Sequence, residues 1–495
     1  VVTNTKAKTG ISGFDEVLSG GLSRGHIFLL EGKPGAGKTT AAIQFVMEGA
    51  KAGEQSLYIT LSETEQELRH AAASHGWVLG SEIEIFELIP PESLLAEEQQ
   101  QSLLYSYDLE LRETTKQIVD AVERAKPRRV VLDSLSEIRL MAQSSLRYRR
   151  HLLSIKHYFI RHGATVILLD DLTADVGDKT AQSIAHGVVQ LEELAPAYGA
   201  ERRRMRVLKY RGQKYREGYH DFTITAGGVN VFPRLVAAEH HIRFTRTQHS
   251  TGIANFDVLL GGGVDSGTST LVLGPAGTGK SLIAMTFVMA AIARGEKAAL
   301  FIFDEELGLL FDRMKGLGID LEAARERGDL MIEQIDVAEV SPGEFAHRVI
   351  VTLDAQQIQT VVIDSLNGYQ AAMPEENSLI LHVHELLQCL NRQGATTFMT
   401  VAQHGLIGDM RAPIDVTYLA DTVILLRYFE ASGKVRRAIS VIKKRSGWHE
   451  TSIREYRISK GGLALGEPLE GFNGVLLGEP TYSGEKSPLL EDRGK

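Results

Sequence analysis

At 495 residues the chain is too long for one compact core, and at roughly 100–200 residues per domain it is expected to hold two or three. Its 43% hydrophobic and 24% charged residues exclude wholesale disorder. The 54 Lys and Arg against 63 Asp and Glu leave a formal net charge of −9, a field that repels phosphate backbones and makes nucleic acid an unexpected partner.

The opening VVTNTKAKTG lacks the 7–15-residue apolar stretch of a secretory leader, and no segment reaches the ~18 apolar residues of a membrane helix, so a cytoplasmic protein without a membrane partner is expected. GISGFDEVLSGGL begins at Gly10, and the apolar run HIFLLEG then reads as a buried strand. It leads into GKPGAGKT, Gly32 to Thr39, and from there into the helical pattern TTAAIQFVMEGAKAG. This fits G-x-x-x-x-G-K-[ST] in its proper context, between a strand and a helix. In such a loop Gly32, Gly35 and Gly37 let backbone N–H groups face phosphates, and Lys38 reaches the terminal phosphates. Thr39 ligates Mg²⁺, and Thr40 follows on the helix. The strand SLYITL comes next, and residues 90–125 read as long, acidic, Gln-rich helices. RRVVLDS ends in Asp133, where a carboxylate can hold the metal's water shell or cap the next helix. TVILLD continues the alternation of strands and helices, the signature of a parallel sheet covered by helices. RRRMRVLKYRG and HDFTIT then read as antiparallel strands added at its edge.

The whole pattern recurs. GIANFDVLLGGGV at Gly252 repeats the Gly10 segment, GEKAALFIFDE repeats GEQSLYITLSE, QTVVIDS repeats RRVVLDS, and SVIKKRS repeats RVLKYRG. The second phosphate loop, GPAGTGKS, supplies Gly274, Gly277, Gly279, Lys280 and Ser281, followed by Leu282, with Asp364 in the place of Asp133. A period this long means two copies of a domain, placed at 1–235 and 249–470, with a linker at 236–248 and a flexible tail at 471–495. Cys389, the lone cysteine, is expected to be a packed small hydrophobe.

These motifs, together with FDEE, ADTVILL and SGWHETSIREYRIS, resemble the KaiC family of double-domain RecA-like ATPases over nearly the whole chain. The resemblance implies an α/β fold of two tandem RecA-like P-loop domains, each a mostly parallel sheet flanked by helices with antiparallel edge strands. It implies ATP and Mg²⁺ as cofactors and a homo-oligomer, a hexamer, with ATP held between subunits. Lys209, Arg211, Lys443 and Arg445 match positions that reach the neighbour's nucleotide. A carboxylate pair that can orient the attacking oxygen falls at Asp304 and Glu305 in the second copy. In the first copy it becomes Ser62 and Glu63, which leaves Glu63 alone to serve as base and places hydrolysis there in question. Adjacent phosphate-accepting hydroxyls align with Thr417 and Tyr418, the latter much longer than the family's Ser or Thr. Residues 90–125 depart from the family near the site of a small KaiB-like partner, and the tail lacks a clear helix for an activating partner. The readings are an ATPase and serine/threonine autokinase, an ATP-gated signalling hub read by a partner protein, or a RecA-like DNA-dependent ATPase. The negative charge and the family-specific segments oppose the last.

Overall fold

The computed structural model describes residues 5–88, 103–172, 178–195, 199–240, 242–303, 305–371, 376–403, 417–477, 480–484 and 489–490. The chain divides into two compact units, one up to Arg234 and the other from Leu235 onward.

In the first unit the principal strands are β1 (Ile27–Gly32), β2 (Ser56–Thr60), β3 (Ile83–Glu87), β4 (Arg129–Asp133), β5 (Thr165–Asp170), β6 (Gly187–Leu194), β7 (Arg202–Tyr210), β8 (His220–Thr225) and β9 (Gly228–Phe232). They form one nine-stranded sheet in the order β9-β8-β7-β6-β1-β5-β4-β2-β3. From β6 to β3 every pairing is parallel, and from β6 outward to β9 every pairing is antiparallel. The parallel strands read as continuous apolar runs because both faces are covered. Along β2, Leu57 and Ile59 enter one hydrophobic cluster with Leu132 and Phe159, while Tyr58 enters the other with Phe45 and Val131. Phe45 belongs to α1 (Lys38–Lys51), the helix that leaves the phosphate loop. Part of the stretch 90–125 is the helix α2 (Leu103–Ala125), in keeping with the helical reading of that segment.

The second unit repeats the plan with β10 (Ser269–Gly274), β11 (Lys297–Ile302), β12 (Leu330–Gln334), β13 (Ile358–Asp364), β14 (Thr396–Ala402), β15 (Thr422–Ala431), β16 (Lys434–Lys444), β17 (Arg454–Ser459) and β18 (Gly462–Pro468). Its nine strands run β12-β11-β13-β14-β10-β15-β16-β17-β18, again parallel up to β15 and antiparallel beyond it. The helix α3 (Lys280–Ala293) is apolar on nearly all sides and sinks into the cluster that holds Val272, Leu300 and Ile424. Cys389 is fully buried on the opposite face of the sheet, among Leu386, Leu390 and Ala395. Both sheets are the mostly parallel, helix-flanked RecA-like architecture.

Two segments flanking the second copy make specific contacts with it. The residues after Leu235 dock on the second unit: Ala237 N donates to Glu385 Oε2 at 3.1 Å, and Arg392 donates back to Ala237 O at 3.2 Å. The Phe244 ring also lies over Gly267 and Gly394. In the described part of the tail, Leu490 N donates to Glu455 Oε2 at 2.6 Å and Leu490 O accepts from Arg436 at 3.3 Å. A buried carboxylate and its arginine give that backbone partners that turn-rich composition does not reveal.

Candidate functional site

The loop between β1 and α1 is shaped by contact with the antiparallel edge of the sheet. Gly37 caps the helix at φ 92°, in the left-handed region, and a Cβ there would lie 2.5 Å from Ile224 Cδ1 on β8. Gly32 approaches the backbone of β6, where a Cβ would sit 2.8 Å from Leu191 O. Gly274 and Gly279 repeat both contacts, at 2.7 Å from Leu426 O and 2.5 Å from Ile458 Cδ1. The edge strands therefore buttress the two loops, and each loop delivers a helix N-terminus with its unpaired N–H groups.

Lys38 is only 6% exposed, and its ammonium donates to Gly32 O and Lys33 O, both at 2.9 Å. It also pairs with Asp171 Oδ1 at 2.9 Å. Thr39 Oγ1 faces Asp133 Oδ2 at 3.4 Å, and the fully buried Tyr58 donates its hydroxyl to the same oxygen at 2.7 Å. Burial pushes the Asp133 carboxyl above its ordinary range; Tyr58, Lys38 and Thr39 oppose this, while Asp171 reinforces it. Glu63 is exposed as a whole residue, but its carboxyl is crowded. That local desolvation, followed by repulsion from Asp133, Glu67 and Asp171, raises it as well. Thr60 fixes the turn that carries Glu63, with its hydroxyl donating to Glu63 O at 2.7 Å and accepting from Glu63 N at 3.0 Å. Thr40 turns toward His75, 3.5 Å from Nε2.

In the second unit Lys280 donates to Pro275 O at 2.9 Å, and burial lowers its affinity for its proton while Asp364 raises it. Asp364 ends β13 as Asp133 ends β4, and accepts a hydrogen bond from the Thr400 hydroxyl. Ser281 is half-buried on the first turn of α3, whereas the Leu282 side chain is buried in the core, so only its backbone faces the loop. Asp304 lies outside the described residues. Glu305 is gripped by Arg313, whose Nε lies 3.0 Å from Oε1. At the 242-residue offset of the repeat, the counterpart of Arg313 is Ala71, so Glu63 has no such partner there.

Lys209 and Arg211 stand at the far end of the sheet from their own phosphate loop. Lys209 pairs in register with Val188, whereas Gly32 pairs with Leu191, three residues or roughly 10 Å further along β6. Lys209 donates to Gln182 O and Arg211 to Ser183 O, the latter at 2.7 Å. The second unit holds the same pattern around the expected acceptor hydroxyls. Lys443 donates to the carbonyls of Thr417 at 3.0 Å and Ala420 at 2.8 Å, and Arg445 to that of Tyr418 at 2.7 Å. Tyr418 is 51% exposed.

The sequence of this frame has known counterparts. Residues 7–236 and 249–470 both match the family described as "ATPase: KaiC". The chain belongs to the KaiC ATPase family. It is 29% identical over 483 residues to the circadian clock oscillator protein KaiC of Parathermosynechococcus lividus, covering 96% of this chain and 88% of that one. It is 29% identical over 485 residues to the KaiC oscillator protein of Synechococcus elongatus, covering 96% and 92%. It is 28% identical over 491 residues to the circadian clock protein KaiC3 of a Synechocystis strain, covering 97% and 95%.

Within this KaiC-family chain, sequence reasoning passed over Tyr58, Asp171 and Glu31. Glu31 is buried beside the first loop, held by Gln182 Nε2 at 2.8 Å and raised by burial. The arginine-rich β7 reads differently once its neighbour is known: Arg204 pairs with Glu192 at 2.8 Å and Arg203 with Glu193 at 3.6 Å, both across to β6. Among the described residues no helix is long and apolar enough to cross a membrane.

Proposed function

We propose that this KaiC-family ATPase binds one Mg²⁺–ATP at each of its two phosphate loops and hydrolyses it in a nucleotide-bridged homo-hexamer, with autophosphorylation at Thr417 in the second ring. The observation that carries the reading is the duplicated frame: a glycine loop packed on the edge strands, Lys38 or Lys280 folded against its carbonyls, and Asp133 or Asp364 at the end of a nearby strand. Thr39 and Asp133 suit Mg²⁺, which takes one or two protein oxygens and completes its shell with phosphate and water; Ser281 and Asp364 are the corresponding pair. Such an ion, when bound, neutralises charge on the phosphates.

In hydrolysis a water oxygen attacks the γ-phosphorus, the bond to the β–γ bridging oxygen breaks, and the water's proton passes to a carboxylate. Glu63 suits that role in the first site, because its surroundings favour taking up a proton and Thr60 holds its backbone. In the second site Glu305 is occupied by Arg313, and Asp304 is the remaining candidate. Lys209, Arg211, Lys443 and Arg445 are too far along the sheet to serve their own loop, which supports action on a neighbouring subunit's phosphates. The cross-strand neutralisation of the β7 arginines and the net charge of −9 weigh against a DNA-dependent ATPase. The second reading is a signalling hub in which ATP mainly holds the ring together for a KaiB-like or other signalling partner. The loss of a carboxylate at Ser62 favours it for the first ring.

Incubation with γ-labelled ATP and Mg²⁺ tests the assignment. Label is expected on the protein and is lost in Thr417→Ala, while phosphate release falls in Lys38→Ala and Lys280→Ala. Label that survives Thr417→Ala refutes the acceptor, and turnover that survives both lysine changes refutes the sites.

A further inference from the structure

The first phosphate loop contains an anion of its own. An ammonium has three N–H donors, and those of Lys38 are directed at Gly32 O, Lys33 O and Asp171 Oδ1, each at 2.9 Å. The carboxylate is not a loose surface partner. Asp171 Oδ2 accepts from Ser134 Oγ at 3.2 Å and from Ser136 Oγ at 3.3 Å, hydroxyls on the segment that follows Asp133. Ser134 is itself 1% exposed, so one side of the carboxylate is fixed by the protein and the other holds the lysine.

Among its described residues the second unit lacks this arrangement. The parallel registers place Ile167 beside Phe28 and Phe398 beside Thr270, so Asp171 corresponds to Ala402. The position of Ser136 is taken by Asn367, whose side chain clamps the backbone of Ala402: its Oδ1 accepts from Ala402 N at 2.7 Å and its Nδ2 donates to Ala402 O at 3.2 Å. Where one copy sets a carboxylate on its lysine, the other has an alanine whose backbone is held by an amide.

We infer that Asp171 is a specificity-determining residue of the first site, occupying on Lys38 the place of a nucleotide's terminal phosphate and so favouring nucleoside diphosphate over triphosphate relative to the second site. A β-phosphate can share Lys38 with Asp171. A γ-phosphate must displace the carboxylate or lie against it, with Asp133 and Glu63 adding like charge. The inference rests on nucleotide binding at the two loops.

The test uses the full chain with Lys280→Ala, so that calorimetry reads the first site, with Mg²⁺ and either ADP or a non-hydrolysable ATP analogue. Asp171→Asn keeps the shape and removes the charge, and is expected to shift the affinity ratio about tenfold toward the triphosphate. The reciprocal change, Ala402→Asp in a Lys38→Ala background, is expected to shift the second site about tenfold toward ADP, and it decides the matter if Asp171→Asn does not fold. An unchanged ratio, or weaker triphosphate binding in Asp171→Asn, overturns the inference while leaving the sites intact. Nucleotide uptake that survives Lys38→Ala with Lys280→Ala defeats the underlying assignment instead.

Discussion

Replacing Tyr58 by Phe removes one hydroxyl from a core residue and leaves its ring in place. What is lost is the 2.7 Å hydrogen bond to Asp133 Oδ2, given by a phenol that burial and Asp133 itself hold in its protonated form. A hydrogen bond to an ionised group contributes about 1.5–3 kcal/mol, and one between neutral groups about 0.5–1.5 kcal/mol. Asp133 has a folded pKa above its unfolded value, so its contribution to stability is fully present below the ordinary carboxylate range and is lost as pH rises through the folded value. Tyr58 favours the ionised form, so Tyr58→Phe moves that folded value higher still. The variant's deficit is therefore expected to be about 2 kcal/mol at pH 8 and to fall toward about half that in acid, as pH drops through the folded value and Asp133 takes up its proton. The chain has two tryptophans, and Trp448 is 70% exposed. In a Trp448→Phe background Trp77 fluorescence reports the first unit's unfolding in urea at pH 8 and in acid. A deficit that is equal at the two, or larger in acid, refutes the claim that Tyr58 serves the charged carboxylate.

His220 is buried with a fixed tautomer, its Nδ1 accepting from Arg234 N at 2.9 Å and its Nε2 donating to Arg216 O at 3.0 Å. Burial, with the charges of Arg216 and Arg234, pulls its pKa down to about 4, so its stabilising contribution is complete above pH 6.5 and is lost by about 1.4 kcal/mol per pH unit toward 4. The same Trp77 assay is expected to find His220→Gln less stable at pH 7.5 but flatter over that window; an equally steep loss removes His220 as the cause. Gly32→Ala pushes a methyl group to 2.8 Å from Leu191 O and is expected to cost about 1–3 kcal/mol, whereas Gly53→Ala meets nothing within 4 Å and pays only for its backbone. Equal melting temperatures for the two variants contradict that contact.

The central strands and both phosphate loops were legible because each is a local signal: a short apolar run covered on both faces, then a glycine pattern, then a helix. The gripping of Glu305 by Arg313 was not, since it depends on how the turn before a helix returns a carboxylate to that helix's side. Tyr58 looked like one more core aromatic. Its hydroxyl was the available signal, because a buried phenol requires a partner and Asp133 is the polar group at the end of the adjacent strand. Asp171 was visible only by subtraction, in the contrast of LLDD in one copy with MTVA in the other. The contacts of Ala237 and Leu490 were not legible because each relies on single groups, Glu385 and Arg392 for one and Glu455 and Arg436 for the other.

The divergence between the copies follows from where a RecA-like sheet keeps its freedom. Gly32 and Gly274 face backbone oxygens and cannot take a side chain without parting two strands, so the loop frame is the same twice. The rim beyond the strand ends has no such constraint, and there the copies differ. Glu193 lies near Gly35 where Tyr428 lies near Gly277, Asp171 stands where Ala402 does, and the 71st residue lacks the arginine that position 313 supplies. Each of these three makes the first rim more acidic than the second, while Ser62 in the place of Asp304 takes one carboxylate from it. A ligand of several negative charges senses that sum directly, because a helix N-terminus and one lysine must outweigh it within a few ångströms. Two loops of near-identical shape are thus placed in unlike fields, and field rather than shape is what distinguishes them.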